Sequence, residues 1–113
     1  MHEYSIVQAL LDRVQAEAAA HRASAVSAVR VKIGELSGVE VDLLLSAYDT
    51  FRQRSICSGA DLEVVPVAAR WVCRGCERPV ATGGILRCAD CGAPARLAAG
   101  DEIVLDRVEL EVA

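Results

Sequence analysis

Two Cys-x-x-Cys pairs, Cys73/Cys76 and Cys88/Cys91, stand eleven residues apart in a chain of 113. Each pair suits a tight turn whose backbone amides face the sulfurs. Two such turns at the ends of a hairpin gather four thiolates into the tetrahedron that Zn²⁺ prefers, at about 2.3 Å per bond. Gly75 and Gly92 occupy positions where a knuckle of this type calls for positive φ. Four sulfurs leave no open coordination position, so the expected role is to staple the segment rather than to catalyse. Iron in a rubredoxin-like electron carrier uses the same four ligands, and spacing does not separate the two metals. The fifth cysteine, Cys57, lies apart from the quartet and reads as a small buried hydrophobe.

A second set of donors opens the chain as Met1-His2-Glu3. A residue as large as His2 disfavours removal of the initiator methionine, so the α-amine is expected on Met1. That amine, the His2 amide nitrogen and the His2 imidazole can close fused chelate rings on one ion. The Glu3 amide or carboxylate would complete a nitrogen-rich square plane of the kind that Ni²⁺ or Cu²⁺ favours. A frayed terminus with a solvated histidine has the same sequence, and the residues alone leave both readings open. His21, the other histidine, falls near a helix end, where a cation is favoured, and reads as surface.

The elements that must position these groups follow from periodicity. Val7, Leu10, Leu11, Val14 and Ala18 recur at helical spacing and predict an amphipathic helix over 4–21. Val29, Val31 and Ile33 alternate with Arg30 and Lys32 and predict a strand ending at the glycine-bracketed turn Gly34-Glu35-Leu36-Ser37-Gly38. A second helix over about 39–53 follows, with Ser37 as its expected cap and Val41, Leu44, Leu45 and Tyr48 as its apolar stripe. Leu62–Val67 reads as a strand in which Pro66 marks an edge position or an exit, and 103–112 as a final strand. The expected fold is therefore α+β: two helices on a three-stranded sheet, with a zinc-ribbon-like four-cysteine lobe inserted before the last strand. The expected domains are 1–68 with 100–113, which contains the amino-terminal donors, and 69–99, which contains the cysteines.

Composition narrows the function classes. Net charge is -4, 53% of residues are hydrophobic and 4% are aromatic, so the chain folds around a thin aliphatic core. Five arginines within 70–96 (70, 74, 78, 87 and 96) oppose Glu77 and Asp90, a balance of +3. Four thiolates on Zn²⁺ contribute -2 and leave about +1, a weak footprint for nucleic acid in a segment without stacking aromatics beyond Trp71. No apolar run approaches the roughly 20 residues of a membrane span, and the amino terminus lacks a signal-peptide pattern, which points to the cytoplasm. No nucleophilic triad, paired-carboxylate constellation or phosphate-binding glycine loop is discernible, so no enzyme is expected.

The opening Met1-His2-Glu3-Tyr4-Ser5, the Gly34–Gly38 turn, the cysteine quartet and the late Gly100-Asp101-Glu102 occur in this order. Together they resemble the HypA/HybF family of hydrogenase nickel-incorporation proteins over essentially the whole chain. The resemblance implies a cytoplasmic nickel metallochaperone for [NiFe]-hydrogenase maturation. It implies nickel on His2, assisted by Met1 and Glu3, with Glu40 a further candidate to lie near it. It implies zinc on Cys73, Cys76, Cys88 and Cys91. The partners implied are a nickel-binding maturation GTPase (HypB-like), the [NiFe]-hydrogenase large subunit and, for some members, urease maturation factors, with the chain itself a monomer or homodimer. The competing reading is a zinc-ribbon adaptor or nucleic-acid binder without nickel transfer.

Overall fold

A computed structural model describes residues 2–81 and 83–113. The elements are α1 (His2–Ala20), β1 (Ala23–Gly34), α2 (Val41–Phe51) running into a 3₁₀ turn (Arg52–Arg54), and β2 (Asp61–Val67). They continue with β3 (Arg70–Cys73), β4 (Pro79–Val80), β5 (Ala95–Ala99) and β6 (Ile103–Val112). Two three-stranded sheets result, ordered β2-β1-β6 and β4-β3-β5. The expected α+β architecture is present, with two helices, a three-stranded sheet and a cysteine lobe.

The chain divides into two compact units. The first runs to Lys32 and resumes over Val39–Val65 and Val104–Ala113. Its α1 buries Val7, Leu10, Leu11, Val14 and Ala18, the stripe that helical periodicity marks. Leu44, Ala47 and Tyr48 of α2 and Val26, Val29 and Val31 of β1 join the same buried set. The Tyr48 hydroxyl donates to the Ala60 carbonyl at 2.6 Å, and the Arg52 guanidinium donates to the same oxygen at 2.8 Å. This pair fastens the segment after α2, and Cys57 is fully buried beside it. On the sheet, Arg30 meets Glu63 at 2.8 Å and Asp106 at 3.5 Å, and Lys32 meets Asp106 at 3.5 Å. A cation row on β1 thus stitches carboxylates from both neighbouring strands.

Ser37 is not the cap of α2. The N-cap is Glu40, with extended backbone and no capping bond from its own side chain. A capping box would use the third helical residue to accept the N-cap N–H, but that residue is Leu43. Glu3 of α1 takes that role, accepting the Glu40 N–H at 3.1 Å. The strand before the turn also starts earlier than its alternation suggests, at Ala23.

The second unit comprises Ile33–Gly38 and Pro66–Ile103. The glycine turn is gripped by the segments that flank the cysteine region. Gly34 donates to Glu102, Glu35 to Val67 and Leu36 to Gly100, at 2.8, 2.8 and 2.6 Å. The Glu35 carboxylate accepts the Ala69 N–H at 2.9 Å. Backbone packs on backbone here, because a Cβ on Gly34 would lie 2.2 Å from the Gly100 carbonyl carbon. Gly100 itself holds φ +108, a region closed to ordinary side chains. Among the described residues no helix is long and apolar enough to cross a membrane.

Candidate metal centres

β3 ends at Cys73 and delivers it directly into the first turn. The Cys73 N–H donates to Arg78 at 2.8 Å, and the Glu77 N–H returns to the Cys73 carbonyl at 3.0 Å. The second turn repeats the pattern at the same offsets. Cys88 donates to Ala93 at 2.9 Å, and Gly92 returns to Cys88 at 3.0 Å. The residue after each second cysteine has positive φ, Glu77 at 60° and Gly92 at 74°. Gly92 therefore plays the expected part but Gly75 does not. A Cβ at Gly75 would lie 3.6 Å from the Cys91 sulfur, in ordinary contact. In the first turn it is Glu77 that bears the left-handed strain, where glycine would be easier.

The two turns are brought together by sheet pairing. β3 and β5 run antiparallel with Cys73 opposite Ala95, and Arg87 bridges Pro94. The four sulfurs consequently lie within 4.8 Å of one another. Cys73 and Cys91 approach to 3.2 Å, and Cys76 and Cys88 to 3.6 Å. Tetrahedral Zn–S bonds of about 2.3 Å require sulfur–sulfur edges of about 3.8 Å, so the cage is the right size for one such ion. Cys73 and Cys88 are buried, whereas Cys76 and Cys91 are exposed.

Local dipoles prepare these sulfurs for a cation. The Cys76 N–H holds the Cys73 thiol low, at about 6, and the Gly75 N–H also points at that sulfur, 3.3 Å away. The Cys91 N–H likewise lowers Cys88. Cys76 and Cys91 move the other way, Cys91 up to about 11. N–H groups of Arg78 and Ala93 favour their thiolates, but desolvation and the neighbouring sulfurs outweigh them. Crowded thiolates that repel one another are what a divalent ion relieves. Around the cage, Arg78 pairs with Asp90 across the two turns, Arg96 reaches Glu77 at 3.5 Å, and Arg87 donates to the Gly92 carbonyl at 3.0 Å. Three of the five arginines in this region are thus engaged inside the unit, which weakens its basic footprint further.

At the other candidate site, Met1 lies outside the described residues. His2 is exposed at the start of α1. Glu3 is buried, 8% exposed, with its carboxylate turned onto the Glu40 N–H. That bond, with its own backbone N–H, holds the Glu3 carboxyl below the usual 4.5. The structure brings positions 3 and 40 together across 37 residues of chain, a pairing that no local pattern announces. Among the described residues, His2, Glu3 and Glu40 do not converge as a side-chain cage; the cysteine quartet does.

A family model described as hydrogenase/urease nickel incorporation, metallochaperone, hypA matches residues 1–110. The hydrogenase maturation factor HypA of Wolinella succinogenes is 39% identical over 114 residues, covering 98% of this chain and 96% of that protein. The solution structure of the Ni metallochaperone HypA from Helicobacter pylori superposes with TM-score 0.75 at 28% identity, over 98% of both chains. Another solution structure, of a HypA protein, gives TM-score 0.83 at 29% identity, over 100% of this chain and 98% of that one.

Proposed function

The chain belongs to the HypA family of hydrogenase/urease nickel-incorporation metallochaperones, and on that premise we propose that it carries nickel at its amino terminus beside a zinc-stapled lobe. Nickel is the cargo. His2 supplies the imidazole and its amide nitrogen, Met1 the terminal amine, and Glu3 a fourth donor through its amide or carboxylate. The observation that carries this assignment is the division of labour in the first turn of α1. The Glu3 carboxylate is spent on Glu40 and fixes the helix start, while His2 remains in solvent. A site of few ligands on an exposed end exchanges its ion readily, as delivery requires.

Cys73, Cys76, Cys88 and Cys91 would hold Zn²⁺, whose chemistry there is a four-bond crosslink with no position left for water. The family's description as metallochaperones, together with that saturated coordination, favours a carrier over an enzyme. The partners on this reading are a nickel-binding maturation GTPase of the HypB type and the [NiFe]-hydrogenase large subunit, with urease maturation factors for some relatives, all in the cytoplasm. Nucleic-acid binding is disfavoured by the arginines already engaged around the cage.

The test is metal titration of protein with an unextended amino terminus, with zinc counted throughout. Wild type should bind about one Ni²⁺ per chain, and His2→Ala should lose it while keeping zinc. A residue added before Met1 turns the amine into an amide and should weaken nickel binding as well. Nickel affinity unchanged in His2→Ala would overturn the assignment.

A further inference from the structure

The first turn of α1 stands ahead of the core. Val7 is the first fully buried apolar side chain of the helix, and His2, Tyr4 and Ser5 are exposed. Met1, which precedes the helix in sequence, is not of a type that caps helices. Two side-chain contacts reach from this turn to α2. Glu3 accepts the Glu40 N–H at the start of α2, and the Tyr4 ring meets the ring of Phe51, its last residue. The centroids lie 5.5 Å apart with the planes at 88°, the edge-to-face arrangement that aromatic pairs favour. Adjacent residues of α1 thus reach opposite ends of an eleven-residue helix about 16 Å long. Tyr4 and Phe51 remain 45% and 39% exposed, so the pair adds little to the core and acts locally, on the turn it touches.

We propose that Tyr4 and Phe51 are positioning residues for the nickel donors, which deepens the amino-terminal reading above and rests on it. In that reading the donors include a terminal amine and backbone nitrogen, whose relative positions are set by the chain itself rather than by a side-chain cage. A single anchor at Glu3 leaves the turn free to fray or swing about that point. A second anchor on the next residue, about 100° further round the helix, fixes its rotation as well. Donors held in place before the ion arrives give up less freedom on binding it, so the aromatic clamp raises affinity and slows release. The clamp is also limited in strength, since an edge-to-face pair is worth about two- to tenfold in an equilibrium constant. A contact of that size retains an ion without trapping it, as a carrier requires.

The test uses the zinc-loaded full chain with an unextended amino terminus. Phe51→Ala and Tyr4→Ala should each speed the loss of Ni²⁺ to a chelator by about two- to tenfold, with zinc content unchanged. Tyr4→Phe and Phe51→Tyr, which keep both rings, should release at the wild-type rate. Val31→Ala opens a cavity in the β1 core and should lower the melting temperature at least as far without moving the nickel rate. In metal-free protein, ¹⁵N relaxation should show the Ser5 amide more mobile in Phe51→Ala than in wild type, a readout independent of nickel. A nickel rate unchanged in Phe51→Ala, with His2→Ala still abolishing binding, overturns the clamp and leaves the amino-terminal site standing. Nickel binding that survives His2→Ala overturns both. A rate that rises as much in Val31→Ala as in Phe51→Ala reduces the effect to general destabilisation and defeats the proposal. So does a Ser5 amide equally ordered in Phe51→Ala and wild type.

Discussion

The Glu3 carboxylate accepts the backbone N–H of Glu40 at 3.1 Å, so the first turn of one helix caps the start of the other. This bond places a charged group where α2 has only Leu43 to offer, and it makes the candidate nickel end part of the fold.

Glu3→Ala should lower thermal stability by leaving the Glu40 N–H without its acceptor, whereas Glu3→Gln, which keeps an oxygen there, should lose less. The pH dependence has a defined sign. The folded-state carboxyl lies below 4.5, so its contribution is complete above 4.5 and is lost as pH falls through the lowered value. Melting curves across the acid range should therefore be flatter in Glu3→Gln than in wild type. A parallel pair of curves would show that the bond contributes nothing to stability.

Stripping zinc with a strong chelator should collapse the cysteine unit selectively. Among the described residues, Val72, Cys73 and Cys88 are its only buried side chains of hydrophobic type over Pro66–Ile103, too few to hold it without crosslinks. Amide NMR signals of 70–99 should lose dispersion and recover on adding one equivalent of zinc. Cys73→Ser or Cys88→Ser should leave the same spectrum even with zinc present.

Gly34→Ala and Gly100→Ala should each destabilise by about 1–3 kcal/mol or more, because the added methyl meets backbone that cannot swing away. The closest approaches would be 2.2 Å to Gly100 and 2.5 Å to Ala69. Gly59→Ala is the control: nothing lies within 4 Å and its φ is ordinary. It should be neutral or stabilise by up to about 1 kcal/mol in denaturant titration.

Burial pushes the Cys57 thiol above 9.0 and the Tyr48 phenol well above 10.0. A raised folded-state value means full stability below 9.0 and a decline as pH rises past it toward the raised value. Cys57→Ala should remove the earlier part of that alkaline decline. In the native zinc-loaded protein at pH 8, Cys57 should react with thiol reagents only as fast as the surrounding structure opens. Rapid labelling would place it outside the core.

Most of the framework was legible because it is written in short-range patterns. Val7 through Ala18 repeat every three or four positions, and only a helix turns those side chains to one side. Pro66 marked an edge or an exit because proline lacks an N–H, and β2 is an edge. The cysteine spacing marked a metal cage because two residues between thiols span one turn. Where the reading failed, a rival local geometry was available. Ser37 is a good capping residue by type, but the turn it sits in ends too early, and α2 starts after Glu40. Gly75 looked like the flexible residue of the first knuckle, but the strained position follows the second cysteine and falls on Glu77.

The sequence by itself determined the α+β class, the two helices, the four sulfurs and the family, since each depends on residues close in the chain or on ordered motifs. Only the tertiary structure decided that Glu3 belongs to Glu40, that Gly34 must be glycine because Gly100 lies against it, and that β6 is left at an edge. These are contacts between residues 37, 66 and more than 70 positions apart, and no periodicity encodes them. They arise when burial of the aliphatic stripes fixes the elements in space, and hydrogen-bonding groups then pair with whatever burial has brought near.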